Sequence, residues 1–355
     1  MIQLDNQTPW SAGLYPGWSR SGQRQQTLVV KIGYRFDPRG QLNPVPLPLI
    51  ESDEYRGNPE TSSLSQVTET VPFKQGAELY LYGSAQPGNA APGSLQVEIG
   101  LRYDNNRYWS KDLLVFGPRQ WERKLFTLLP GHPQTLTDPV ELIYENAYGG
   151  QDPQHPEEIY QANPAGCGYS LRGLRSKALL LPQLEQGPQF IASPASRVHP
   201  AGFGPLPAHW SPRCNLNVAI DSEAIASGTC PFCSEQPADL YNCAPTDQRV
   251  ATPFVGAMTL KLTGLVTTAP RELLLEIPKQ QPLATLNLTN TKEQIELSCD
   301  TLIIDSDQQT VALVFRGAII TDPDPDPNGW LTLKDEHPLP PHHTPAEPAP
   351  MEQRP

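Results

Sequence analysis

Two neighbouring segments decide the fold class: Leu95-Gln-Val-Glu-Ile-Gly-Leu-Arg-Tyr103 and Lys111-Asp-Leu-Leu-Val-Phe-Gly117, joined through a turn at Asp104-Asn-Asn106. The first alternates apolar and polar residues at the period of a half-buried strand. The turn residues suit a reversal of the chain, so the pair reads as a β-hairpin. Outward from it the same pattern recurs. Thr27-Leu-Val-Val-Lys-Ile-Gly-Tyr-Arg-Phe36 is rich in β-branched and aromatic residues and ends in the turn Asp37-Pro-Arg-Gly40. Glu78-Leu-Tyr-Leu-Tyr-Gly83 alternates, as do residues 254–265 and Glu272-Leu-Leu-Leu-Glu-Ile277, and 282–288 follows. Residues 296–304 and Thr310-Val-Ala-Leu-Val-Phe-Arg316 form a second expected hairpin, around Asp305-Ser-Asp307. The chain carries 41 prolines in 355 residues, a density that excludes long helices. The expected fold is therefore mainly β, with antiparallel sheets in a sandwich- or barrel-like arrangement.

Between 146 and 250 the periodicity stops. This long Gly/Pro-rich middle section is irregular, and its one helix-like segment, 176–185, is interrupted by Pro182. Loops of this length in a compact domain carry a function or an unusual constraint. The expected organisation is an N-terminal segment (1–20) and a main domain over 21–320. The main domain is β-rich over 21–145, loop-rich over 146–250 and β-rich again over 251–320. A disordered, acidic, Pro-rich tail (321–355) then begins near Asp-Pro-Asp-Pro-Asp-Pro and contains His337, His342 and His343.

The formal net charge of -12 argues against nucleic-acid partners. Arg119, Arg123 and Lys124 around Trp121 are interrupted by Glu122 and read as a solvated strand or turn. The N-terminal residues lack the basic-then-apolar pattern of a signal peptide. No apolar run reaches the ~20 residues of a membrane helix. The expected location is the cytoplasm, where six cysteines are free or metal-bound rather than paired.

Cys230-Pro-Phe-Cys233 is a C-x2-C knuckle flanked by Cys214 and Cys243. Four thiolates of this kind could hold a structural zinc, because C-x2-C lets two sulfurs converge from one tight turn. The competing reading is four reduced thiols packed in loops; no other cofactor is indicated. His199 and His209 frame Pro200-Ala-Gly-Phe-Gly-Pro205 and could act as bases, but no nucleophile or orienting carboxylate stands at a recognisable spacing. Glu145, Asp152, Glu157 and Glu158 cluster near Tyr148-Gly149-Gly150 and read as loop carboxylates.

Six motifs occur in order: Tyr144-Glu-Asn-Ala-Tyr148-Gly149-Gly150; Asn163-Pro164-Ala-Gly166-Cys-Gly-Tyr169; Leu181-Pro-Gln-Leu-Glu185; Pro200-Ala-Gly202-Phe203-Gly204-Pro205-Leu-Pro-Ala-His-Trp210-Ser-Pro-Arg213; Tyr241-Asn-Cys-Ala-Pro245-Thr-Asp-Gln248-Arg249; and Asp300-Thr-Leu-Ile-Ile-Asp305. With Val29-Val-Lys31, Pro72-Phe-Lys74 and Phe116-Gly-Pro-Arg-Gln-Trp121, they resemble the domain of unknown function 2169 family over roughly residues 20–320. Where the resemblance leads one to expect a Pro-Asp-Phe-like run before 242–245, this chain has the cysteine insert 229–239. The resemblance implies a non-catalytic adaptor or chaperone. Its expected partners are a type VI secretion effector and the spike proteins VgrG and PAAR, with no membrane or nucleic acid involved. Tyr148, Gly149, Gly150, Asn163, Pro164, Gly166, Gly202, Phe203, Gly204, Pro205, Trp210, Arg213, Pro245 and Gln248 are the candidate protein-binding or fold-locking residues. Two alternatives stay open: a hydrolase with its site near the loop 203–210, and a structural accessory secreted with the spike.

Overall fold

A computed structural model describes residues 2–88, 93–104, 106–125, 127–152, 154–171, 180–216, 218–267, 271–288, 291–321 and 328–336. The hairpin that opens the sequence reading is present: Arg107–Phe116 pairs antiparallel with Ser94–Tyr103, Leu101 opposite Trp109. Asp104 and Asn106 in its turn adopt positive φ (41° and 77°), which Asp and Asn tolerate better than other side chains. Met258–Thr263 and Glu272–Ile277 extend this hairpin on one side, and Leu184–Glu185 closes the other, giving a five-stranded sheet.

A seven-stranded sheet runs in the order Arg249–Val250, Ala77–Tyr82, Ser298–Asp305, Thr310–Ile320, Arg24–Phe36, Ser11–Trp18, with Leu42–Pro44 also paired to Arg24–Phe36. A third sheet has four strands: Ile2–Asn6, Gly329–Asp335, Pro282–Leu288 and Thr291–Ile295. Most pairings are antiparallel. Among the described residues three are parallel: Tyr148–Gly149 with Cys167–Gly168, and two that join distant parts of the chain, Ala77–Tyr82 with Ser298–Asp305 and Ile2–Asn6 with Gly329–Asp335. The fold is mainly β, and among the described residues no sheet closes into a barrel.

The three sheets turn apolar faces onto one core. Arg24–Phe36 contributes Leu28, Val30, Ile32, Tyr34 and Phe36, every second residue, as a strand must. The hairpin contributes Val97, Ile99, Leu101, Leu113 and Val115, and the four-stranded sheet Ala284, Leu286, Leu331 and Leu333. This shared core gives a sandwich-like arrangement.

Three expectations change. The tail assigned to 321–355 contains the strand Gly329–Asp335, whose Leu331 and Leu333 are fully buried. Alternation in Gly-Trp-Leu-Thr-Leu-Lys-Asp, masked in the sequence by the surrounding prolines, supplies the apolar face. Residues 337–355, with His337, His342 and His343, lie outside the described residues. So do 172–179, in the expected helix 176–185; Leu184–Glu185 at its end is a strand. The α-helix among the described residues is instead Ser222–Ser227, where Asp221 Oδ1 caps the N–H groups of Glu223 and Ala224. Third, Arg119 is buried and ion-paired with Glu185, so it is not part of a solvated patch.

Candidate functional site

The middle section is held by buried side chains that bond to backbone. Asn163 is fully buried; its amide donates to the carbonyls of Tyr144 (2.8 Å) and Tyr148 (3.1 Å). Its own carbonyl accepts from the N–H groups of Gly150 (2.8 Å) and Gly166 (3.3 Å). One asparagine thus stitches the first two sequence motifs together, with Pro164 following it into the turn. Gly150 has φ of +87°, and Gly149 is pressed against the Asn163 backbone, where no Cβ fits.

The loop 200–213 wraps the Tyr144 ring. A Cβ on Gly202 would stand 2.5 Å from that ring, and the Tyr144 hydroxyl donates to the Gly204 carbonyl at 2.9 Å. Trp210 is fully buried and packs edge-on to Tyr144, ring centroids 5.7 Å apart. Pro205 and Leu206 are buried, and Arg213 Nη1 donates to the Leu206 carbonyl at 2.5 Å. Phe203 is fully buried, and its carbonyl accepts from Leu81 of the seven-stranded sheet and from Gln248. The loop 203–210 therefore forms part of the interior.

Gln248 links this loop to both large sheets. Its Nε2 donates to the carbonyls of Leu79 and Phe203, both at 2.8 Å, and its Oε1 accepts from Lys111 Nζ at 2.7 Å. Lys111 also bonds Asp247 Oδ1 at 3.0 Å, and Gln186 bonds Asp247 Oδ2 at 3.0 Å. Burial pushes the Lys111 pKa down, and the neighbouring Asp247 only partly opposes it.

Above this group lies a cleft of about 540 Å³, within the size range of ligand sites. Motif residues Tyr144, Leu206, Pro245 and Asp247 line it, with Lys111 at its base. Both cis-prolines, Pro188 after Gly187 and Pro212 after Ser211, stand in its walls. Tyr148, Gly149, Gly150, Asn163, Pro164, Gly166, Gly202, Phe203, Gly204, Pro205, Trp210, Arg213 and Gln248 do not line it, though Asn163, Gly204, Arg213 and Gln248 bond residues that do.

His199 also lines the cleft and is exposed. His209 lies beside the Tyr55 ring (6.1 Å) and the Trp210 ring (6.3 Å). Among the described residues neither histidine is bonded to a carboxylate; the histidine–carboxylate contact present is His155–Glu157, at 3.5 Å. The acidic cluster is structural in part: Glu145 accepts from Ser63 N (2.8 Å) and Oγ (2.7 Å), and Asp152 from Ser170 Oγ (2.6 Å).

The four cysteines proposed as a zinc site are not brought together. Cys243 is buried with Leu64, Val67, Tyr80 and Ala244, whereas Cys214 and Cys233 are exposed and Cys230 is half-buried. Among the described residues no three His, Cys, Asp or Glu side chains are placed to hold a metal. The reason is local. The backbone around Cys243 is pinned by Glu78, whose Oε2 accepts from Asn242 Nδ2 (3.2 Å), Cys243 N (2.9 Å) and Ala244 N (3.1 Å). That bonding turns the Cys243 side chain inward.

Glu78 also forms a fully buried ion pair with Lys74 at 2.6 Å. Two more buried pairs share the same face of the seven-stranded sheet: Lys31–Glu69 (2.6 Å) and Arg316–Asp300 (2.8 Å). Sequence reading places Lys31, Lys74 and Asp300 inside motifs without assigning them a role. The available signal was a single charge within an otherwise apolar strand, as in Leu28-Val-Val-Lys31-Ile.

Among the described residues no helix is long and apolar enough to cross a membrane. A family model described as an uncharacterized protein conserved in bacteria (DUF2169) matches residues 21–316. No curated protein and no solved structure matches the chain.

Proposed function

The chain belongs to the DUF2169 family, and from that premise we propose that it is a non-catalytic adaptor whose cleft receives a segment of a partner protein. The observation that carries this reading is the construction of the cleft. Part of its wall is made of motif residues, and two of these are held by hydrogen bonds: Tyr144 donates to the Gly204 carbonyl, and Asp247 accepts from the side chains of Lys111 and Gln186. Rigid walls of prolines and aromatic rings reduce the entropy lost on binding, which is how a preformed surface gains affinity. The polar groups at its base bond to one another, and His199 has no carboxylate to orient it among the described residues. That favours recognition over acid–base chemistry.

The finer reading follows the resemblance of the sequence motifs to the 2169 family. The partner is a type VI secretion effector, and the adaptor acts in the cytoplasm to help mount it on the VgrG spike or its PAAR tip. Deletion of the gene tests this. Delivery of one neighbouring effector is expected to stop while the secretion machine still fires, and the purified protein is expected to carry that effector with it. Loss of all secretion, unchanged delivery, or effector-like amounts of this protein in the culture supernatant would count against a retained adaptor.

A further inference from the structure

Charge is not balanced inside the cleft. Two cations, Lys111 and Arg197, line it beside His199 against one carboxylate, Asp247, in a chain whose formal net charge is -12. Asp247 is already engaged through both oxygens, by Lys111 and by Gln186. The Lys111 ammonium is 3 % exposed and has three N–H donors, of which Asp247 and Gln248 take two. Its other neighbour is the Phe203 ring, whose centroid is 5.6 Å from Nζ, and burial lowers its pKa against the opposing pull of Asp247.

Arg197 stands exposed in the wall and makes no hydrogen bond or ion pair among the described residues; near it are the neutral phenols of Tyr160 and Tyr169. His199, two residues on, is exposed and has no polar partner among them either. Rings and prolines, including Tyr144, Tyr160, Pro188 and Pro200, make up part of the remaining wall, with Gln186, Gln189, Ser211 and Thr246 among them. Such walls suit the side chains and backbone of an extended polypeptide better than the hydrated surface of a free inorganic anion.

We propose that the cleft takes an extended, acidic segment of the partner protein, with an Asp or Glu carboxylate reaching Lys111 at the base and Arg197 and His199 flanking it from the wall. This rests on the adaptor reading and specifies the chemistry of what the adaptor holds. Apolar side chains of the segment pack on the prolines, and its carboxylate supplies the acceptor that Lys111 lacks. Against a chain that is acidic elsewhere, a local positive cleft also directs an acidic segment to this one face.

The test is a degenerate octapeptide array probed with the purified full-length protein. Asp or Glu is expected at one position at least, about fivefold over Asn or Gln, the ratio a partly exposed ion pair supports. The preference is expected to disappear in Arg197→Glu and to weaken at about 1 M salt, where screening acts over ~3 Å. Equal selection of Asn and Gln, selection of basic residues, the same acidic preference in Arg197→Glu, or no selected peptide would each overturn the proposal. Co-purification separates the two levels. If Arg197→Glu captures the neighbouring effector as well as the wild type does, the acidic-segment proposal fails and the adaptor reading stands. If the wild type captures no effector, the adaptor reading fails, and the array alone decides what the cleft selects.

Discussion

Replacing Glu78 with Gln tests whether the buried charges organise the motif loops. Glu78 and Lys74 are both essentially unexposed, with side-chain exposures of 0 % and 1 %. One carboxylate oxygen faces Lys74 Nζ; the other accepts from three N–H groups of residues 242–244. An amide has one acceptor and one donor end. Turning its oxygen toward the three N–H groups points its NH2 at the ammonium, and the reverse leaves those N–H groups unpaired. Breaking a buried pair from one side costs about 3–5 kcal/mol. For a folded region of about 300 residues that is a fall in Tm of roughly 5–8 °C. Thermal unfolding followed by tryptophan fluorescence reads it directly. The pH dependence has a definite sign. Burial raises the Glu78 pKa, but Lys74 and the Ala244 N–H outweigh it, so the folded pKa lies below its ordinary value. Such a group adds stability that is complete above its unfolded pKa of about 4.3 and is lost as pH falls through the folded pKa. The gap between wild type and Glu78→Gln is therefore expected to be full at neutral pH and to narrow below about pH 4.3. Adding Lys74→Met removes the stranded ammonium and is expected to recover part of the loss. A Glu78→Gln shift under about 1 kcal/mol, or a double variant as unstable as the two single losses summed, would refute the argument.

Other residues give further tests. Gly202→Ala drives a methyl group into the Tyr144 ring and is expected to lower the urea midpoint by the equivalent of about 1–3 kcal/mol; an unchanged midpoint would show that the ring has room to move. Gln248→Leu takes the Gln248 partner from the Leu79 carbonyl and from one Lys111 donor and leaves the Phe203 carbonyl only its Leu81 N–H, an expected loss of about 2–5 kcal/mol in the same assay; a stable variant would mean that the loop is held elsewhere. The protein is expected to purify without stoichiometric zinc, measured by elemental analysis, because Cys243 is turned into an apolar cluster. One zinc per chain, lost in Cys230→Ser, would reverse that conclusion.

The strands were legible where alternation is local and pairing is between neighbours. The hairpin Ser94–Tyr103 with Arg107–Phe116 and the hairpin Ser298–Asp305 with Thr310–Ile320 both follow from period-two patterns with a turn between them. The parallel pairing of Ala77–Tyr82 with Ser298–Asp305 was not, because nothing in either segment specifies a partner more than two hundred residues away. The strand Gly329–Asp335 escaped because a window containing its flanking prolines averages to a disordered composition, while Leu331 and Leu333 alone carry its burial. The motifs span the region of the cleft, but they did not divide the residues that face it from those that do not. Asn163 and Gln248 look like surface amides in a sequence; only the backbone carbonyls they reach, set by distant chain, make them interior fasteners.

The three buried ion pairs explain how a sheet positions a cleft made of loops. Along Ala77–Tyr82, Leu79 and Leu81 enter the shared core, while Glu78, Tyr80 and Tyr82 point to the opposite face. On that opposite face Lys31 holds Glu69, and Arg316 holds Asp300 together with the carbonyls of Glu69 and Val71. Lys74 holds Glu78 and Thr301. Each pair ties loop residues 69–74 to a different strand, and Glu78 passes the constraint on to residues 242–244, just before Pro245 and Asp247 in the cleft wall. Apolar side chains of equal volume would bury as well, and often more stably, but they would accept several alignments of loop on sheet. Directional bonds accept one. The charges on this face thus tie the 69–74 loop and residues 242–244 to the sheet a few residues before the cleft wall.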